Sequence, residues 1–148
     1  MGEWANRFFE RLIEREGNDH LKIQQQVLER QQILATAPEL FQQLTDGIHR
    51  EANDLNDMRP GLVTIKHDGA SLSMSTGVRT LNLAFKKDVP KITYSVFQSQ
   101  GASLQPLKVV DNKEFTFSIF GGEVWLNGMD GKIGVGGAIQ NLLNHLIV

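Results

Sequence analysis

Asp57-Met58-Arg59-Pro60-Gly61-Leu62-Val63-Thr64-Ile65-Lys66-His67 is the stretch on which the fold turns. Before it, Phe41, Leu44, Ile48, Ala52 and Leu55 return at spacings of 3, 4, 4 and 3 residues. That spacing marks one face of a helix. After it, apolar and polar residues alternate, which is the period of a half-buried strand. Pro60 has no backbone N–H, and the residue before a proline avoids helical dihedrals, so the helix should stop here.

Downstream, the alternation repeats in short blocks. Asp68-Gly69 reads as a turn. Leu72 and Met74 then alternate with serines, Leu81, Leu83 and Phe85 with Thr80, Asn82 and Ala84, and Ile92, Tyr94 and Val96 with Thr93 and Ser95. Phe115, Phe117 and Ile119 alternate with Thr116 and Ser118, and Gly121-Gly122 marks a turn before Glu123-Val124-Trp125-Leu126. A weaker segment from Leu104 to Val110 carries Pro106 and suits an edge. These blocks predict an antiparallel meander of six or seven strands over about residues 62–127. Ile139, Leu142, Leu143, Leu146 and Ile147 predict a closing helix over about 137–147.

Upstream, Trp4, Phe8 and Leu12, widened by Phe9 and Ile13, open a helical stripe that His20, Ile23, Val27, Gln31 and Leu34 continue. Gly17-Asn18-Asp19 predicts a kink or a break. Thr36-Ala37-Pro38-Glu39 has the form of a capping box with proline early in the first turn. It predicts separate helices over about 3–35 and 37–58. The expected class is therefore α+β: one domain over 1–148, with the helices from both chain ends on one face of the sheet.

Composition bounds the function. The chain has 148 residues, with 41% hydrophobic and 22% charged, which suits one globular domain. It has no cysteine, which removes disulfides, thiolate catalysis and Cys-based zinc sites and suits a reducing, cytoplasmic setting. The charged N-terminus lacks the apolar core of a signal peptide, and no apolar run reaches the length of a membrane span. Net charge is −2, with 7 Lys/Arg against 11 Asp/Glu in residues 1–60 and 8 against 6 in residues 61–148. Neither half points to nucleic acid or to an anionic membrane.

No motif carries a catalytic or cofactor signature. The Gly128–Gly137 cluster lacks the Walker spacing, and the dinucleotide pattern fails at Ile139. These glycines read as turns and a helix start. His49, with Asp46 and Asn53 one turn to either side, lacks a second ligating histidine and reads as a solvated helix face. No Gly-x-Ser-x-Gly elbow is present. Lys86-Lys87-Asp88-Val89-Pro90-Lys91 reads as a hairpin turn. No catalytic, cofactor-binding or metal-ligating residue is assigned.

Two surfaces remain. The polar face of the sheet, with Ser73, Ser75, Asn82, Thr93, Ser95 and Thr116, is rich in hydroxyls and cheap to desolvate. Trp4 and Phe8 lie near a terminus and either dock or anchor another chain. Both suit a non-enzymatic interaction or adaptor domain whose partner is a protein or a second copy of itself. The alternative is a small-ligand binder with a pocket between sheet and helices lined by Phe41, Phe85, Tyr94, Phe117 and Trp125. A third reading, an enzyme of unrecognised type, needs histidines or carboxylates gathered in one cleft.

Overall fold

A computed structural model describes residues 2–99 and 108–147. The chain divides into two compact units, Met1–Gln32 and Ile33–Val148. The element order is α1 (Glu3–Met58), β1 (Thr64–Asp68), β2 (Ser71–Ser75), β3 (Arg79–Lys86), β4 (Lys91–Gln98), β5 (Lys108–Phe120), β6 (Glu123–Gly128), β7 (Gly131–Ile133) and α2 (Val135–Asn144). The α+β class and the antiparallel meander stand as the alternation implied.

The N-terminal helices differ in one respect. Residues 3–58 form one helix, unbroken at Gly17 and with Pro38 inside it. Pro38 cannot donate to the carbonyl four residues back, a loss that usually ends a helix. Here Ala37 and Phe41 on either side of it are buried in the core. Packing of that turn outweighs the local stop signal, and Thr36 lies in the helix interior.

In the second unit, seven strands form one sheet in sequence order, β1-β2-β3-β4-β5-β6-β7, every neighbour antiparallel. Strand alternation then sorts the side chains. Leu72, Met74, Leu81, Leu83, Ile92, Tyr94, Val96, Phe115, Phe117 and Leu126 are buried on one face. They share a single core with Phe41, Leu44, Ile48 and Ala52 of α1 and with Ala138, Leu142 and Leu146 at the C-terminal end. Helices from both ends of this unit therefore cover the same face. They also meet each other: a Cβ on Gly47 would collide with Ile139 Cδ1, so Gly47 makes room for the α2 side chain.

One turn and one bulge fix the register. Gly121 and Gly122, with φ of 59° and 80°, close the β5–β6 hairpin in the left-handed region that a two-residue loop requires. A β-bulge lets Val96 pair with Asp111 while Phe97 pairs with Val109. The weaker segment anticipated over Leu104–Val110 contributes its last residues to β5, and its residues 104–107 lie outside the described residues.

The junction at Pro60 has a fastener that periodicity does not reveal. The Asn56 side chain donates from Nδ2 to the Val63 carbonyl at 3.1 Å and accepts the Val63 N–H at Oδ1 at 2.9 Å. The amide thus imitates a neighbouring strand for Val63, which is itself buried. Asn56→Ala leaves both backbone groups without their partner and should cost about 1–3 kcal/mol, read as a lower denaturant midpoint at unchanged m-value. Thr36→Ala, in contrast, should change stability by less than about 0.5 kcal/mol, because the residue caps nothing. A Thr36→Ala loss as large as that of Asn56→Ala would restore the helix break.

Candidate functional site

In the first unit, helix residues 3–32 present an apolar stripe that almost nothing within the unit covers. Trp4 is 74% exposed, Phe8 57%, Phe9 60%, Ile13 53%, Ile23 58% and Val27 50%. Trp4 and Phe8 stack with ring centroids 5.5 Å apart, as their four-residue spacing allows. Ile13, His20 and Val27 are seven residues apart, and Phe9 and Ile23 lie four and three residues from members of that series. Phe9, Ile13, Glu16, His20, Ile23 and Val27 thus keep heptad spacing, with Glu16 and His20 as its polar members. The flanks are charged but balanced: residues 3–32 hold 5 Lys/Arg and 6 Asp/Glu. Pairs along the helix include Glu3 with Arg7 at 3.7 Å and Gln25 with Glu29 at 3.3 Å.

In the second unit, register places Ser73, Ser75, Asn82, Thr93, Ser95 and Thr116 together on the sheet face away from the core. Lys66, Ser73, Asn82, Ser95 and Asn112 form one row across five strands. Between β1 and β4 the face forms an open trough of about 390 Å³. The row ahead of it is more basic, with Lys86, Lys91 and Lys132, and Lys91 pairs with Glu114 at 3.1 Å.

The aromatic residues expected to line an internal pocket divide in two. Phe41 stacks on Phe85 at 5.4 Å, and Phe85 meets Phe117 edge-on at 6.4 Å. These three fill space against one another. Trp125 pairs in register with Ser118 and so stands on the opposite face, where Lys132 Nζ lies 4.4 Å from its ring centroid. Phe85 also borders a groove of about 360 Å³ with Leu34, Ala37, Pro38 and the β3–β4 turn.

Tyr94 belongs to a cleft of about 220 Å³ beside α2. Its ring stacks on Phe115 at 5.3 Å and lies 5.9 Å from the His145 ring. Asp111 faces the same side of β5, with Oδ2 3.3 Å from His145 Nε2 and Oδ1 3.6 Å from Lys113 Nζ. Arg79 donates from Nη1 to the His145 carbonyl at 2.7 Å, placing a cation at the end of α2, where the helix dipole favours it. Asp111, Lys113 and Arg79 escaped sequence reading. Stepping back by twos from Phe117 and Phe115 puts Lys113 and Asp111 on the inward face, but the bulge and the partner His145 have no local signal.

The glycine cluster resolves into structure: Gly128 and Gly131 flank the β6–β7 turn, and Gly134 is the N-cap of α2. Among the described residues no three metal-ligating side chains gather, and no helix is long and apolar enough to cross a membrane.

No protein-family model, curated protein or solved structure matches the chain.

Burial raises the Tyr94 pKa above its ordinary 10.0, and the Asp111 charge adds to the rise. Tyr94 is the sole tyrosine, so tyrosinate absorbance reports it alone. The folded protein should titrate with a midpoint above 10.0. Asp111→Asn should lower that midpoint only in part, because burial is the larger cause. Above pH 10 the unfolded chain ionises first, so this residue's contribution to stability is intact below 10 and declines as pH climbs beyond it. A midpoint at or below 10 in the folded protein would contradict this placement of the ring.

Proposed function

We propose that this protein is a non-enzymatic interaction module that self-associates through helix residues 3–32. The uncovered seam of Phe9, Ile13, Ile23 and Val27, with Trp4 and Phe8 beside it, carries this reading. Single exposed apolar residues are ordinary on protein surfaces, but a stripe repeating over about six helical turns is not. Helical stability in proteins comes chiefly from packing an amphipathic face against something else.

Charge selects the occupant. With 5 basic and 6 acidic residues interleaved, one copy of the helix meets another without net repulsion of any consequence. An interfacial membrane helix would instead carry an excess of lysine and arginine on its polar face. Another copy of this helix offers the apolar seam and the mixed flanks that coiled-coil pairing uses. Such a protein needs no cofactor, and the absence of cysteine fits a cytoplasmic setting.

The measurement is solution mass by light scattering across a concentration series. A dimer or higher closed oligomer is expected, dissociating on dilution. Phe9→Glu with Val27→Glu places a charge at two seam positions on each copy and should shift the association at least about a hundredfold, given roughly 1.4 kcal/mol per tenfold. Near-ultraviolet and far-ultraviolet dichroism would verify that residues 33–148 keep their fold. A wild-type chain that stays monomeric at every concentration would remove the proposal.

A further inference from the structure

The fold brings together two histidines that lie 18 residues apart in sequence: His49 of α1 and His67 of β1. His49 Nε2 stands 3.1 Å from His67 Nδ1, and the ring centroids are 5.2 Å apart at an interplanar angle of 37°. Two imidazole nitrogens facing at this distance cannot both present bare lone pairs: in the metal-free protein one ring is the tautomer that carries N–H here and donates it to the other. Nitrogens that each bind one ion at about 2.0–2.1 Å stand roughly 2.9 Å apart at the square-planar angle of copper(II) and roughly 3.3 Å apart at a tetrahedral angle. The observed spacing is already close to that of a chelate.

The backbone beneath each ring is fixed. Ile48, next to His49, has no exposed surface, and His67 pairs in register with Leu72, which is 2% exposed. Both rings sit at the surface, open to an ion from solvent. Asp46, the carboxylate one helical turn from His49, is engaged by Gln42 Nε2 at 2.8 Å. The ligand set is therefore two imidazoles, with water in the remaining positions.

We propose that His49 and His67 form a bidentate site for a divalent late first-row transition ion, copper(II) in preference to nickel(II) and zinc(II). Imidazole donors suit these three ions, and the general affinity order places copper highest. Magnesium and calcium, which prefer oxygen, are excluded. The bound ion staples α1 to the edge strand β1. Because it requires both elements in place, it binds the folded chain and raises its thermal midpoint.

The test uses the full chain and the chloride salts of copper, nickel, zinc and magnesium. Thermal midpoints should rise with the first three and stay unchanged with magnesium. The copper(II) electron paramagnetic spectrum should show two coordinated nitrogens. His49→Gln and His67→Gln should each weaken binding by at least about tenfold and leave one nitrogen. His145→Gln should bind copper as wild type does, which separates this pair from a histidine elsewhere in the fold. Each variant's metal-free midpoint reports that it remains folded. Two results would overturn the proposal: either variant binding copper like wild type, or a metal-free midpoint that falls in both variants while no ion moves the wild type. The second would make the pair a hydrogen bond and nothing more.

Discussion

Leu44 and Ile48 on one side, and Leu81, Leu83 and Ile92 on the other, are shielded from water almost completely. Everything else in the second unit depends on that contact. A sheet with one apolar face and a helix with one apolar stripe cannot each bury their surface alone. Each such side chain contributes roughly 1.5–3 kcal/mol when removed from water. Once this seam forms, alternation along the strands dictates that Ser73, Asn82 and Ser95 look the other way. The hydroxyl-rich face follows from the core, since a register slip of one residue would exchange the two faces. The C-terminal helix adds to the same seam through Ala138, Leu142 and Leu146.

The switch of period at Pro60 was legible because it is local: spacing of 3 and 4 residues on one side and of 2 on the other needs no knowledge of partners. The capping-box reading at Thr36 shows where local reasoning fails. Every residue of Thr36-Ala37-Pro38-Glu39 favours a helix start, yet Ala37 lies fully buried in the middle of α1. A proline signal is a cost of a few kcal/mol, and several buried side chains exceed it. Asn56, Asp111 and the two paired histidines were hidden for the opposite reason. Nothing in Asn56 as a sequence position distinguishes a strand-like clamp from a solvated helix amide until Val63 is placed beside it. On its helix alone, His49 reads as a solvated position. Its partner is a strand residue that only the β1–β2 register and the packing of α1 bring within reach. Trp125 changed sides because the two-glycine hairpin sets its pairing with Ser118, a matter of turn geometry that hydrophobicity does not encode.

The same helical period runs through residues 3–58, but the physics of its two stretches differs. From Ile33 onward the apolar stripe has a sheet to lie on. From Trp4 to Val27 the described side chains find almost no cover within their own unit. A heptad containing His20 and Glu16 also makes a weaker seam than a uniformly apolar one. Polar residues at such positions lower affinity while restricting register. The self-association proposed for this stripe would therefore be readily reversible.

Edges complete the argument. An open seven-stranded meander leaves β1 and β7 with unpaired backbone groups, a template for unwanted strand addition. β7 answers by being three residues long, with Lys132 folded over Trp125. β1 is longer, and only Lys66 interrupts its outer side between Thr64 and Asp68. The imidazole pair sits on the inner side of this same strand, where the helix reaches it. A link from β1 to α1 therefore holds the more vulnerable edge against the body of its own unit. The clamp of Asn56 on Val63 works one residue before that strand begins. Both contacts resist the same motion: peeling of β1 from the sheet, which would expose Leu72 and Met74 behind it. A strand whose loss uncovers the core is one that the fold must fasten from more than one side.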